Sequence, residues 1–421
     1  MSTNPSIENL VQAAHRQMRL GRLDDAAQLW KKVRAIVPDH PQALFHLGRY
    51  FLFQKDPRAA VELLQRAATI TPREPAIQLN LAYAFQALGE SAGELQALDR
   101  ALAIDPYFYP ALFLKGATFE RQGRKRAAAR VYKDALSAAP ATVPAELKEQ
   151  LAHAQQVVRL NAEDLAAHLR STLAHLKARH PDADLARFEE CRDALIGTKR
   201  IFTSQPTMLH FPRLPAIQFY DTGEFPWLAA FEAATESIRD ELVGYIREDD
   251  KEFRPYVRHA PGVPLNQWAE LNHSPRWSAL FLWEDGRRDD GHGARFPRTA
   301  AALEEVPLCN IPGFAPAAFF STLETHTRIP AHTGVTNARL IVHLPLIVPA
   351  GCGFRVGNEV REWRPGKALI FDDTIEHEAW NDSDELRVLL ICDIWNPYLS
   401  LAERDYVAEL LQSSRAYYAE Q

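Results

Sequence analysis

Apolar and polar positions recur along the first third of the chain with a period of 34 residues. Pro38, Pro72, Pro106 and Pro140 are spaced by that number, and so are Gly21, Lys55, Gly89 and Gly123. A column of small residues, Ala14, Gly48, Ala82 and Gly116, shares the register. A second column runs Ala26, Ala60, Glu94 and Ala128, with one exception to its smallness. A unit of this length holds two helices of about three turns and two short turns. The small residues let paired helices approach closely. The Gly or Lys column falls where the first helix needs a C-terminal stop, and each Pro closes one unit before the next begins. Residues 144–200 remain helical in pattern and read as capping and linking helices. From about Ile201 the pattern changes. One amphipathic helix is predicted over 227–247. Short β-branched or aromatic runs then alternate with Gly, Pro, Asp and Asn: FFSTLE, ARLIVHLPLIV, GFRVGN, ALIFDD and LRVLLICDIW. Such closely spaced strands suggest a sandwich or jelly roll.

The 34-residue pattern resembles the tetratricopeptide repeat. The predicted organisation is therefore four repeats over 1–143, linking helices over 144–200 and a β-rich domain over 201–421. Stacked helix pairs of this kind form a concave surface suited to a peptide or protein partner. The competing role is stabilisation or dimerisation of the chain.

Composition narrows the field. Of 421 residues, 47% are apolar and 24% charged, which is the mix of a folded soluble protein rather than a disordered one. With 48 basic and 54 acidic residues the net charge is −6, which argues against a general nucleic-acid binder. No apolar run is long enough to span a bilayer, and the opening MSTNPSIENL lacks the pattern of a secretory signal. Cys191, Cys309, Cys352 and Cys392 are scattered with no CxxC pair. That argues against a structural zinc site or a disulfide framework, and for reduced thiols in the cytoplasm.

Candidate chemistry lies in the second half. On the strand at 338–346, Arg339, Ile341 and His343 point one way and Leu340, Val342 and Leu344 the other. A polar face opposite an aliphatic one suggests a cavity; the alternative is a solvated face. His332, His377 and Arg387 stand out by order and spacing. A jelly-roll oxygenase binds Fe(II) through two His and usually a carboxylate, leaving positions open for 2-oxoglutarate and O2. A basic residue about ten positions past the second His pairs with the far carboxylate of 2-oxoglutarate, and Arg meets a carboxylate bidentately. Here the carboxylate expected two positions after His332 is absent, because Gly334 stands there. Asp372, Asp373 and Glu376 are the nearby acids that could substitute.

Residues 201–400 resemble the aspartyl/asparaginyl β-hydroxylase family. The resemblance is carried by FYDTGEFPWL, RWSALFLWEDGRR, FPRTAAALEEVP, HTGVTNARLIVHLPL, WRPGKALIFDDTIEHEAW and DIWNP. That family also has Gly in place of the triad carboxylate, and tetratricopeptide repeats precede the domain in some members. The resemblance implies that His332 and His377 bind the metal, that Arg387 binds the side-chain carboxylate of 2-oxoglutarate with support from Ser321, and that Trp283 and His343 line the cosubstrate pocket. Arg339 lies beside that pocket and receives no role. One departure stands out: family members carry Arg two positions after the Arg339 equivalent, and this chain has Ile341.

The expectation is a 2-oxoglutarate- and Fe(II)-dependent dioxygenase that hydroxylates an unactivated carbon, with the β-carbon of Asp or Asn in a peptide ranked first and the repeats recruiting substrate or partner. Bacterial relatives of this fold also hydroxylate lipid acyl chains; with no membrane span predicted, a soluble substrate ranks higher. The alternatives are a repeat scaffold carrying an inactive jelly roll, and a metal-binding jelly roll of another chemistry, such as a zinc isomerase or hydrolase.

Overall fold

The computed structural model describes residues 6–140, 147–247 and 252–419. The parts of the sequence readings that fall on 1–5, 141–146, 248–251 and 420–421 lie outside the described residues. The chain divides into two compact units, Met1–Thr198 and Lys199–Gln421.

The first unit is a tetratricopeptide solenoid of four helix pairs: α1 (Ile7–Arg19) with α2 (Leu23–Ile36), α3 (Pro41–Phe53) with α4 (Pro57–Ile70), α5 (Pro75–Leu88) with α6 (Ser91–Ile104), and α7 (Tyr109–Arg121) with α8 (Lys125–Ala138). Each repeat column has a physical reason. Gly21, Lys55, Gly89 and Gly123 all adopt positive φ, between 59° and 73°, and stop the first helix of each pair. A Cβ on Gly48 would lie 2.6 Å from Leu64, and one on Gly116 would lie 2.5 Å from the Tyr132 ring, so these positions set how closely each pair packs. The exception in the second column is accommodated: buried Glu94 accepts from Thr118 Oγ1 at 2.7 Å and pairs with Arg121. Two further helices follow, α9 (Lys148–Arg179) and α10 (Ala186–Ile196).

The second unit is β-rich. The single helix expected over 227–247 is two, α11 (Leu228–Ala233) and α12 (Thr235–Ile246), interrupted at Ala234. There Thr235 Oγ1 donates to the Glu232 carbonyl and Ser237 Oγ to the Ala234 carbonyl, local bonds that compete with helix continuation. The strands are β1 (Arg254–Pro255), β2 (Trp277–Glu284), β3 (Arg287–Arg288), β4 (Ala318–Leu323), β5 (Thr327–His332), β6 (Arg339–Ile347), β7 (Cys352–Val356), β8 (Glu359–Arg361), β9 (Leu369–Phe371), β10 (His377–Asn381) and β11 (Arg387–Trp395). The larger sheet runs β1-β2-β4-β11-β6-β9, with β3 on β2. The smaller runs β5-β10-β7-β8. The two sheets are not closed on one another. Between them lies a core that joins Ile329, Phe354 and Val356 of the smaller sheet to Leu323, Phe371 and Leu389 of the larger.

The outer face of the larger sheet is covered by α11, α12 and α14 (Pro297–Glu304), which follows the short α13 (Asp290–Arg295), and Leu340, Val342 and Leu344 are buried there. The opposite set on β6, Arg339, Ile341 and His343, lines a cavity between the sheets. The chain ends in α15 (Leu401–Ala419), whose Val407 and Leu411 pack on Cys309 and Ile311. All four cysteines are free; Cys191 is exposed and the other three are buried. No helix among the described residues is long and apolar enough to cross a membrane.

Candidate active site

Two short strands that the hydrophobic pattern did not reveal carry the histidines. His332 ends β5 and His377 begins β10, and the two residues are direct cross-strand partners. Their rings lie 4.0 Å apart, centroid to centroid. A register shift just past His377 marks a bulge, a device that re-aims side chains at a sheet end.

Each ring is oriented by its own strand. His332 Nδ1 donates to the Pro330 carbonyl at 2.8 Å, and His377 Nδ1 donates to the Ile375 carbonyl at 3.0 Å. A carbonyl only accepts, so Nδ1 carries the proton and Nε2 keeps a free lone pair in both rings. Burial lowers the pKa of His332. Burial, together with His332 itself, holds His377 well below the usual histidine range. Two neutral imidazoles with their second nitrogens tied to carbonyls are what a divalent metal needs. Among the described residues no group of three or more His, Cys, Asp or Glu side chains is placed to hold a metal ion.

Gly334 explains the missing carboxylate in space. A Cβ built there would lie 2.0 Å from Asp373 Oδ2, and the Gly334 amide donates to the Asp373 carbonyl at 2.6 Å. Asp373 therefore stands where a residue-334 side chain would be. Its pKa is pushed up to about 7 by burial, with Arg339 opposing and Asp372 and Asp393 adding to the rise. Asp372 points elsewhere, accepting from Ser204 and Thr374. Glu376 pairs with Arg355.

The other wall of the cavity holds the predicted anion site. Arg387 is 1% exposed. Its Nη1 donates to Ser321 Oγ and to the Ser321 carbonyl, both at 3.3 Å, and its guanidinium lies 5.1 Å from the centroid of the Trp363 ring. No carboxylate reaches it among the described residues, and burial lowers its pKa to about 9. A buried, uncompensated guanidinium beside two imidazoles with free Nε2 lone pairs suits a ligand that offers a carboxylate to the cation. His343 is buried beside it and is held neutral by burial and by Arg387. The cavity encloses about 500 Å³ and brings together His332, His377, Ser321, His343 and Arg387.

Trp283 departs from the expectation. It does not line the cavity; it lies in the core on the other face of the larger sheet with Leu280 and Leu282. The cause is a register shift in β2 between Phe281 and Trp283, which breaks the alternation that would have put Trp283 on the face of Trp277. Trp277 takes the expected place and donates Nε1–H to Ser321 Oγ at 3.2 Å. Its placement two residues past Pro275 gives no sequence signal of that role.

Comparison with known proteins agrees with this architecture. The aspartyl/asparaginyl beta-hydroxylase family matches residues 232–397, and tetratricopeptide repeat families match 11–75, 47–107 and 109–142. The human aspartyl/asparaginyl beta-hydroxylase is 26% identical over 95% of this chain and 54% of its own length. An ornithine lipid ester-linked acyl 2-hydroxylase of Rhizobium tropici is 36% identical over 46% of this chain and 66% of its own. The chain thus spans about half the length of the human relative. A solved tetratricopeptide-repeat protein of Thermus thermophilus, 23% identical, covers 41% of this chain and all of its own with a TM-score of 0.32. Relatives of this C-terminal part are hydroxylases, which supports an enzyme, and the repeats indicate protein–protein interaction.

Proposed function

Taking the C-terminal part as an aspartyl/asparaginyl beta-hydroxylase domain preceded by tetratricopeptide repeats, we propose that this protein is an Fe(II)- and 2-oxoglutarate-dependent dioxygenase that hydroxylates an unactivated carbon. The observation that carries it is the pairing of two neutral imidazoles, Nε2 free, with a buried guanidinium that no carboxylate among the described residues reaches. Bound iron and 2-oxoglutarate supply the oxidising power: one atom of O2 enters the substrate C–H bond as C–OH, the other enters succinate, and CO2 leaves.

The protein's own part is orientation. His332 and His377 hold the metal through Nε2, and the Pro330 and Ile375 carbonyls fix the tautomers. Two protein ligands would leave the remaining positions of the metal to the cosubstrate and oxygen. Arg387 and Ser321 take the far carboxylate, and Trp277 holds the Ser321 hydroxyl in place. His343, kept neutral, stands beside that carboxylate without competing for it. The Trp268 ring packs 4.9 Å from that of His332 and the Phe371 ring 5.5 Å from that of His377, centroid to centroid. The repeats recruit a protein or peptide that is, or delivers, the substrate, and the site of action is the cytoplasm. The β-carbon of an aspartyl or asparaginyl residue, ranked first by sequence, corresponds to the name of the human relative; the acyl chain of the Rhizobium relative is the second class.

The test is an anaerobic titration of apoprotein with Fe(II) and then 2-oxoglutarate, followed by visible absorption. A charge-transfer band that needs both additions and disappears in His377→Ala supports the proposal. Its absence in folded protein overturns it in favour of a repeat scaffold with an inactive sandwich.

A further inference from the structure

Paired helices of the repeats are antiparallel, and successive pairs stack, α2 on α3, α4 on α5 and α6 on α7. The four turns inside the pairs therefore line one edge of the solenoid, and the connections between pairs line the other. The two edges differ in charge. The first turn brings Arg19 and Arg22, the second Lys55 and Arg58, and the fourth Arg121, Arg124, Lys125 and Arg126. The third brings Glu90 and no cation. The other acids there are engaged: Asp24 accepts from the Tyr50 hydroxyl at 2.8 Å, and Asp56 accepts the Ala59 amide at 3.2 Å. The connections at 36–41, 70–75 and 104–109 show the reverse balance, with Arg73 against Asp39, Glu74 and Asp105. On the basic edge Arg121 pairs with Glu94. Arg124, Lys125 and Arg126 have no ion pair among the described residues, and Arg124 lies 4.3 Å from the centroid of the Phe119 ring.

This charge stands where helix physics favours its opposite. Asp56 caps α4, which shows that a side chain can do so at that position. Arg22 and Arg124, its equivalents before α2 and α8, make no side-chain cap bond, and α8 has no acid in its first turn. Lys125 and Arg126 add to the positive end of that helix instead of opposing it. The first two turns also carry apolar tips: Leu20 is 60% exposed, Leu23 39% and Phe53 67%. Leu23 and Phe53 border one small cavity, so the tips of neighbouring repeats are adjacent. A row of protruding turns offers no groove to a peptide, but it can meet a plane. Aliphatic tips gain nothing from the phosphates of a nucleic acid, and they leave water on entering a lipid interface.

We infer that this edge of the repeats docks on the surface of an anionic phospholipid bilayer, with its cations among the headgroups and Leu20, Leu23 and Phe53 at the boundary with the acyl chains. Docking of this kind is peripheral and reversible. It needs no membrane-crossing helix, and none is present among the described residues. Each cation near the surface adds to the attraction, which fades within a Debye length and with salt. The inference stands apart from the oxidising chemistry proposed for the second unit. An acidic protein segment would engage the same cations without using the apolar tips, and this difference separates the two occupants.

The full-length protein is sedimented with vesicles of phosphatidylcholine, or of phosphatidylcholine with about one-third phosphatidylglycerol, at about 0.05 M and about 0.5 M NaCl. At the lower salt the anionic vesicles should bind at least about ten-fold more strongly than the neutral ones, and the higher salt should remove most of that difference. Arg124→Glu, Lys125→Glu and Arg126→Glu together should weaken binding at least about ten-fold. Arg170→Glu, Lys177→Glu and Arg179→Glu, an equal change of charge at exposed positions of α9, should leave it unchanged. Leu20→Ser with Phe53→Ser should weaken it at constant charge. Thermal melts check that each variant folds. In wild-type protein, which needs no variant, anionic vesicles should slow amide hydrogen exchange at 19–24 and 121–126 and leave 104–109 unaffected. Equal binding to the two vesicles, equal loss from the two charge reversals, or exchange slowed at 104–109 instead overturns the inference. Tighter binding of poly-L-glutamate than of anionic vesicles, with no effect of the serine substitutions, assigns the edge to an acidic protein segment and overturns it as well.

Discussion

The carboxylate of Asp373 occupies the space that a side chain at residue 334 would need. A Cβ on Gly334 would meet its Oδ2 at 2.0 Å and its Cγ at 2.1 Å. Asp373 sits on a short stem, and its carbonyl is tied to the Gly334 amide, so little can give way. Gly334→Ala should therefore cost about 1–3 kcal/mol of stability and weaken Fe(II) binding. Gly334→Asp should fare no better, since two carboxylates would compete for one place. Thermal melts and Fe(II) titrations of both variants check this; wild-type behaviour would refute it.

The two halves of the candidate site should separate by mutation. His377→Ala should abolish iron binding and turnover. Arg387→Ala should leave iron bound and raise the 2-oxoglutarate requirement roughly 10- to 100-fold, the loss of charge-assisted hydrogen bonds. Because no carboxylate among the described residues reaches the buried Arg387, its removal should leave the ligand-free protein at least as heat-stable as wild type. Equal, full activity in both variants would sink the assignment.

The two tryptophans of β2 offer a paired control. Trp277→Phe removes the hydrogen bond to Ser321, and should raise KM for 2-oxoglutarate by about five-fold, the value of one such bond of ~1 kcal/mol. Trp283→Phe changes only the core on the other face, and should leave that KM unchanged. Steady-state kinetics at varied 2-oxoglutarate distinguish them, and a reversed order would contradict the placement of Trp277.

An acid-side prediction concerns the repeats. Burial, then His15 and Arg49, lowers the pKa of His46 to about 4, and the ring stacks on Trp30 at 4.8 Å. The unfolded chain takes up this proton near 6.5, while the folded chain refuses it until about 4. Stability is therefore intact above pH 6.5 and is lost as pH falls toward 4. His46→Phe, which keeps an aromatic ring against Trp30, should flatten that slope in melts recorded across the interval. An unchanged slope would show that His46 does not set it.

The repeats were legible because four independent columns share one period, and each column answers one packing or turning requirement. Even the odd Glu94 is explained only by partners 24 and 27 residues away, Thr118 and Arg121, and those the column could not show. In the second unit the strands with long β-branched runs were legible. β5 and β10, which carry His332 and His377, were not: they are short, and β5 contains Pro330. Trp283 was misplaced because alternation is a rule of unbroken strands, and a one-residue shift after Phe281 reverses it without any mark in the sequence. Asp373 was visible as a nearby acid. Its position over Gly334 is a contact across 39 residues of chain, and only the fold reveals it.

The opposition of His332 and His377 across β5 and β10 reaches beyond chemistry. A metal held by both rings is a rivet through the end of the smaller sheet, present only in the folded state. At a hundred times its dissociation constant such a ligand adds about 2.7 kcal/mol to stability. If iron is that metal, its scarcity would remove more than activity: the unriveted sheet would open more often to proteases, and iron supply would set how long each copy of the protein lasts.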